Sequence, residues 1–191
     1  MDSSSAAVQR YTLTAIGLHW FLALALLGMF GMGLYMTELP ISPLRLKLIN
    51  WHKWAGVTFL ALSLLRLLWR VTHRPPPLPA HILQAMPQWQ QWAHNGIHHA
   101  MYWLFFLVPL IGWAYSSAAG FPIVLFTIIP LPDFVPVDAA LAELIKPWHE
   151  FSAFALMGLM GIHVAAAIKH QWIVNNGLLL RILPTRHNDT P

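Results

Sequence analysis

Four stretches of this sequence are long and apolar enough to cross a lipid bilayer, which requires about 20 residues. They run roughly over residues 15–36, 48–70, 97–119 and 147–171. Only 9% of the residues are charged, whereas soluble domains carry about 25%. The sequence therefore predicts an all-α integral membrane protein, in which residues 1–191 form a single membrane domain built as a bundle of four transmembrane helices.

The segments between the predicted spans contain most of the prolines. They read TELPISP, RPPPLPAH and FPIVLFTIIPLPDFVPVD. The third segment is apolar, but four prolines fall between positions 121 and 137. Proline lacks a backbone donor and clashes with the preceding turn of a helix. We therefore expect an interfacial loop here rather than a fifth span.

Basic residues lie mainly near the ends of the apolar segments. The formal net charge is +4, but this placement indicates membrane orientation rather than nucleic-acid binding. If both termini lie on one side, that side holds seven lysines and arginines and the other side holds four. The seven are Arg10, Arg66, Arg70, Arg74, Lys169, Arg181 and Arg186, and the four are Arg45, Lys47, Lys53 and Lys146. The positive-inside rule then predicts a multi-pass protein with both termini in the cytoplasm.

Histidines recur in the apolar spans at helical spacing. In the fourth span, His149, His163 and His170 are separated by fourteen and then seven residues, which places them near one face of a helix at three depths. Assigning a depth to the histidines of all four spans gives two layers. The outer layer contains His52 and His149, and the inner layer contains His19, His163 and the neighbours His98 and His99, with His94 nearby.

These layers need a chemical explanation, because an ionisable group inside a span is costly and marks a functional site by default. A single histidine is more often an interfacial anchor, but facing pairs at two depths are not explained in that way. A zinc site usually includes carboxylates or thiolates, and a proton relay would need carboxylates within the membrane. The chain has no cysteine and few acidic residues near the spans. Haem iron accepts two axial imidazoles, so haem is the interpretation we favour.

Two further features are compatible with haem, although each has an alternative explanation. Glycines in the spans would let a flat macrocycle approach the backbone, but small residues also serve helix packing in membranes. Arg66 lies fourteen residues after His52, on the same face and at the depth of the inner layer. A buried arginine needs an anionic partner, which a haem propionate would supply in a bidentate contact. Alternatively, Arg66 extends its head group to the interface.

Several motifs occur in a recognisable order along nearly the whole chain. They are LHW at 18–20, NWHKWAG at 50–56, LLRLLWR at 64–70, HNGIHHAMYWLFFLVPLIG at 94–112, WHEFSAFALMGLMGIHVAAAIKH at 148–170 and LLLRILP at 178–184. Taken together, they resemble the bacterial cytochrome b561 family, in particular its small four-helix, di-haem members that act as superoxide oxidases. The resemblance implies a protein of the bacterial inner membrane whose bundle holds two haem b groups.

The resemblance also implies residue roles. His52 and His149 would ligate the outer haem iron, and His19 and His163 the cytoplasmic one. The helix-three histidine of the family falls on His98, which would lie near the cytoplasmic haem without being an axial ligand. His170 would lie by a quinone pocket, where it and its neighbour Lys169 would donate protons or hydrogen bonds to a reduced quinone; alternatively, both are plain interfacial residues. Depth alone does not separate His98 from His19 as a ligand, and the role of His94 and His99 stays open.

The function implied is electron transfer from superoxide to ubiquinone. Superoxide would reduce the outer haem, and ubiquinone would be reduced near the cytoplasmic haem, with no protein partner required. Lys53 and Lys146, near the outer layer, would attract the superoxide anion, although such lysines are often only a solvated rim. The alternative is a haem-bearing membrane anchor that carries electrons between quinone and a soluble dehydrogenase or hydrogenase. A non-haem metal transporter is a more distant possibility.

Overall fold

The computed structural model describes residues 10–174 and 176–184, except for the side chain of His81. Five α-helices occur in this part of the chain: α1 Leu13–Glu38, α2 Pro43–Thr72, α3 Ala80–Ala85, α4 Gln88–Ala118 and α5 Ala139–Ile168. The strands β1 Val124–Leu125 and β2 Ile129–Pro130 lie between α4 and α5, and a π-helical turn Lys169–Ile173 and a 3-10 turn Leu178–Arg181 follow α5. Arg186, which contributes to the predicted orientation, lies outside the described residues.

Four of these helices are long and apolar enough to cross a membrane, namely α1, α2, α4 and α5. The predicted all-α, four-helix membrane fold is therefore confirmed. The helices extend beyond the predicted apolar stretches, most clearly at the N-terminal ends of α4 and α5. Residues 88–96 and 139–146 are less apolar than the spans that follow but contain good helix formers such as Gln, Ala, Leu and Glu, so the helix begins before the hydrophobic segment does.

Side-chain caps define where three of the long helices begin. The Thr12 hydroxyl accepts a hydrogen bond from the Ala15 amide before α1, and the Asp138 carboxylate accepts from two backbone amides before α5. Ser42 caps α2 in the same way, and Pro43 follows it at the first helical position. Such caps satisfy amides that lack an intrahelical partner. Pro109 lies within α4, which continues past it.

The bundle packs α1 against α2, α2 against α4, and α4 against α5. Its centre is a small cluster of buried residues, which are Leu22, Leu26, Phe59, Phe105 and Leu156. Many large apolar side chains on the outside of the long helices are exposed. In water such a surface would drive aggregation, whereas in a bilayer it faces lipid.

The segment between α4 and α5 is a β-hairpin fastened to α2. In the hairpin, β1 pairs with β2 in antiparallel register. Lys53 Nζ donates a hydrogen bond to the Phe121 carbonyl over 3.1 Å, and the Trp54 indole donates to the Val124 carbonyl over 2.8 Å. The expectation of a loop rather than a fifth spanning helix agrees with this structure. The hairpin lies at the His52 end of α2.

The opposite end of the bundle is closed by the C-terminal segment. Arg181 is only 3% exposed and donates to the carbonyls of Pro76 and Pro77. The indole of Trp20 donates to the Ile182 carbonyl over 2.8 Å. These contacts join the end of the chain to α1 and to the proline-rich connection after α2, which brings α3 close to the π-helical turn.

Candidate haem-binding site

Each of the four long helices contributes one residue to each of two layers around the histidine rings, and the two residues are fourteen positions apart. One layer, on the side of the hairpin, contains Gly33, His52, Gly112 and His149; the other, on the side of the C-terminal segment, contains His19, Arg66, His98 and His163. We call these the hairpin-side layer and the terminus-side layer. The residue halfway between them on each helix belongs to the buried central cluster: Leu26, Phe59, Phe105 and Leu156. The two layers are thus separated by an apolar core.

In the hairpin-side layer, His52 of α2 faces His149 of α5. Their ring centroids are 6.2 Å apart and their planes are perpendicular. The Nδ1 atom of His149 lies 3.1 Å from the Val108 carbonyl, which can only accept a hydrogen bond. The neutral ring therefore carries its hydrogen on Nδ1 and leaves Nε2 free to bind a metal. His52 lies beside the Met29 carbonyl, but its buried Nδ1 makes no hydrogen bond of good geometry.

Glycines of α1 and α4 make room for these two rings. A Cβ atom on Gly112 would lie 2.8 Å from Cε1 of His149, closer than two carbon atoms can approach without displacement. A Cβ atom on Gly33 would lie 3.5 Å from Cε1 of His52, which is ordinary contact. Gly112 therefore fixes where the His149 ring sits, whereas Gly33 borders the His52 ring more loosely.

The terminus-side layer contains three imidazoles instead of two. The ring centroids of His19 and His163 are 6.3 Å apart, and those of His98 and His163 are 5.1 Å apart. His98 donates from Nδ1 to the His94 carbonyl over 2.7 Å, which leaves its Nε2 free. His99 is exposed and bonds in the same way to the Asn95 carbonyl. The structure thus brings His19, His98 and His163 together and leaves His99 apart.

Arg66 enters this layer beside His19. Its Nη2 lies 3.0 Å from His19 Nδ1, and its Nε donates to the Tyr102 hydroxyl over 3.3 Å. Because a guanidinium can only donate, Nδ1 of His19 accepts and the neutral ring carries its hydrogen on Nε2. Ligation of a metal through this Nε2 requires that hydrogen to leave and the contact with Arg66 to change. Within the described residues, Arg66 forms no hydrogen bond or ion pair with a carboxylate.

A cavity of about 470 Å³ lies at the same end of the bundle as the terminus-side layer, beyond His163 along the chain. It is lined by Ile82, Ala85, Met86, Pro87, Gln90, Lys169, His170, Val174 and Asn176. The sequence predicted His170 and Lys169 at such a pocket but gave no sign of the wall formed by α3. The ring of His94 lies beside that of His98, with 4.5 Å between the ring centroids.

The two lysines predicted to attract superoxide lie in different surroundings. Lys146 is exposed on α5, three residues before His149. Lys53 is half-buried, and its ammonium group bonds the carbonyls of Phe121 and Pro122 at the base of the hairpin. Lys53 therefore has a structural contact that the sequence did not reveal, whereas Lys146 presents its charge to the surroundings.

A profile of the prokaryotic cytochrome b561 family matches residues 10–185 of the chain. The chain belongs to this family. It is 31% identical over 183 residues to the cytochrome b561 homolog 2 of Escherichia coli strain K12, with 95% of each chain covered. It is 27% identical over 179 residues to the probable superoxide oxidase CybB of Yersinia pestis, with 93% of this chain and 98% of that protein covered.

A third relative is the cytochrome b561 homolog 1 of Escherichia coli strain K12, at 28% identity over 190 residues, covering 94% of this chain and 99% of that protein. The resemblance deduced from the motifs is therefore confirmed. As a cytochrome b561 family member, the chain is a bacterial membrane electron carrier that binds haem b.

The imidazole pairs of this cytochrome fit such a cofactor. Metal–imidazole bonds are about 2 Å long, and the nitrogen of an imidazole lies about 1 Å from the ring centre, so a metal ion between two rings separates their centroids by about 6 Å. The pairs His52–His149 and His19–His163 have this spacing, while the 5.1 Å between His98 and His163 is shorter. The spacing thus favours His19 over His98, although His98 has the more suitable hydrogen bond.

Proposed function

We propose that this cytochrome binds two haem b groups and transfers electrons from superoxide to ubiquinone. Two superoxide anions each give up one electron and leave as dioxygen, and one ubiquinone takes up the two electrons and two protons. The observation that carries the proposal is the presence of two imidazole pairs with metal-like spacing, 6.2 and 6.3 Å, in separate layers. A cavity large enough for a quinone head group lies at the same end of the bundle as the terminus-side layer, and its lining includes His170, seven residues after His163.

In this proposal, His52 and His149 would hold the iron of the hairpin-side haem, and His19 and His163 would hold that of the terminus-side haem. Bound haem iron supplies one-electron redox chemistry. The Val108 carbonyl holds His149 with Nε2 free. Arg66, whose Nη2 lies 3.0 Å from Nδ1 of His19, would bind a haem propionate, the anionic partner that its guanidinium lacks within the described residues.

The chain's other residues serve the two substrates. The exposed ammonium of Lys146 lies near the hairpin-side pair and attracts a small anion. The carbonyls at the base of the hairpin hold Lys53, so its charge contributes from a fixed position. At the other layer, His170 and Lys169 line the cavity and offer hydrogen-bond donors to the quinone. His98 stands beside His163 as a neighbour of the haem rather than as a ligand.

The membrane orientation is also part of the proposal. With both termini in the cytoplasm of a bacterial inner membrane, the hairpin-side layer faces the periplasm and the cavity faces the cytoplasm. The relative named as a probable superoxide oxidase supports this direction of electron flow. The cytochrome b561 homologs support membrane electron transport in general.

Superoxide consumption by the purified protein, with and without ubiquinone, tests the function. We expect rapid loss of superoxide that depends on added quinone, with ubiquinol as the reduced product. A haem-loaded protein that leaves superoxide untouched but exchanges electrons with quinone would contradict the oxidase and support the membrane-anchor function. An Asn95→Ala variant is a suitable control for the preparation, because this exposed side chain lies outside both layers and the cavity.

A further inference from the structure

The cavity wall is shaped by a change of helix type at the end of α5. The helix becomes π-helical over Lys169–Ile173, and such turns occur frequently at functional sites. Successive residues of a regular α-helix point about 100° apart, yet Lys169 and His170 both line the cavity. Asn176, which follows the π-helical turn in the chain, also lines the cavity.

Asn176 holds His170 through two contacts. The backbone amide of Asn176 donates to the His170 carbonyl over 3.2 Å. The side-chain amide nitrogen, Nδ2, lies 2.9 Å from Nδ1 of the His170 ring. One contact fixes the backbone of Asn176 relative to His170, and the other fixes the His170 ring relative to the Asn176 side chain.

A third hydrogen bond fixes which atom of the Asn176 amide faces the histidine. The backbone amide of Leu178 donates to Oδ1 of Asn176 over 3.3 Å. Since a backbone N–H can only donate, the atom that it contacts is the oxygen, and the NH₂ group points at His170. An NH₂ group can only donate, so Nδ1 of His170 accepts. The neutral ring therefore carries its hydrogen on Nε2.

From this geometry we infer that Asn176 is a positioning residue, which keeps His170 as an Nε2–H donor to a carbonyl oxygen of the quinone in the cavity. The inference rests on the proposed function, because it assigns a role at the quinone site. Quinone carbonyls can only accept hydrogen bonds, so a ring with an unprotonated Nε2 would offer them nothing. A donor aimed at an oxygen that gains negative charge during reduction stabilises that charge.

The substitution Asn176→Asp separates this role from a merely structural one. The carboxylate still accepts from the Leu178 amide, but it also accepts from Nδ1 of His170 and so draws the hydrogen away from Nε2. Nitrogen-15 NMR of labelled histidine reports the tautomer, with His170 assigned by its loss in His170→Gln. Kinetics with ubiquinone-1 are compared at a pH at which the spectra show a neutral His170 ring in both proteins. The matched control is Gln84→Glu, an exposed amide on α3 that does not line the cavity.

We expect the wild-type ring to carry its hydrogen on Nε2 and the Asp variant to carry it on Nδ1. Loss of one hydrogen bond raises the KM for ubiquinone-1 about five- to tenfold, while Gln84→Glu leaves it unchanged. A wild-type ring protonated on Nδ1, or an unchanged KM after the tautomer has moved, would overturn the inference while leaving the proposed function intact. If the wild type does not reduce ubiquinone-1, the proposed function fails and the donor role fails with it, whatever the tautomer.

Discussion

Gly112 is the most constrained position in the hairpin-side layer. A Cβ at this position would lie 2.8 Å from Cε1 and 3.1 Å from Nδ1 of His149, and the Val108 carbonyl, one turn earlier on α4, lies 3.1 Å from the same Nδ1. A methyl group at position 112 would therefore push the His149 ring away from α4, out of reach of the carbonyl that orients it. At several other glycines of the bundle a methyl group would meet open space, for example at Gly158 on α5, where no neighbouring atom lies within 4 Å of the position that a Cβ would take.

We predict that Gly112→Ala displaces the His149 ring and removes the hairpin-side haem, halving the haem b content per chain. The control variant Gly158→Ala should keep the wild-type content. Haem quantification on the purified proteins checks both. Full haem content in Gly112→Ala would show that the layer tolerates a shifted ring, contrary to the geometry described.

The exposed charge of Lys146 gives a second prediction. Lys146→Gln should slow superoxide capture about two- to fivefold at low ionic strength, and the difference should vanish in high salt, because exposed charges are screened. Stopped-flow superoxide decay at two salt concentrations measures this. Lys53→Gln is less suitable, since it also breaks the contacts with the hairpin carbonyls. Equal rates for wild type and Lys146→Gln at low salt would exclude steering by this lysine.

The helix α5 relates the two layers through its fourteen-residue register. An alanine inserted after Gly158 rotates His163 by about 100° relative to His149, so we predict loss of the terminus-side haem and retention of the hairpin-side one. The matched control is Leu159→Ala, which places alanine at the same point without lengthening the helix. Optical spectra and haem quantification distinguish the outcomes. Retention of both haem groups after the insertion would contradict the layered assignment.

The sequence predicted half of this register. The spacings His52–Arg66 and His149–His163 were apparent because both members of each pair carry chemistry. The corresponding spacings on α1 and α4 were not apparent, because their hairpin-side member is a glycine. Nothing in the sequence distinguishes one glycine among several in a membrane helix. The contact between Gly112 and His149 depends on how α4 packs against α5, and no pattern within a single helix encodes it.

The short elements at the ends of the bundle were missed for a similar reason. Helix α3 is held by tertiary contacts, in which the Gln91 side chain donates to the carbonyls of Leu83 and Met86. The π-helical turn and the Asn176 contact depend on the return of the chain after α5. Hydropathy predicted the four long helices, because each must present an apolar surface to lipid along its whole length.

The orientation of the whole bundle can be tested directly because the chain has no cysteine. Two variants, each with a single cysteine at the exposed position Asp133 or Arg74, should differ in whether a membrane-impermeant maleimide reaches the cysteine from outside the cell. We predict that Asp133→Cys is labelled in spheroplasts with an intact inner membrane and that Arg74→Cys is labelled only after the membrane is opened. The cysteine-free wild type is the blank. The reverse pattern would place the hairpin-side layer in the cytoplasm.

The central feature proposed for this cytochrome is a pair of separate haem sites, one in each histidine layer. Haem b content per chain, measured on purified wild type and His149→Ala side by side, tests this most directly. We predict two haem groups in the wild type and one in His149→Ala, because the pair His19–His163 lies on the other side of the apolar core and is unchanged by the substitution. A colourless wild type, or simultaneous loss of both haem groups in His149→Ala, would contradict it.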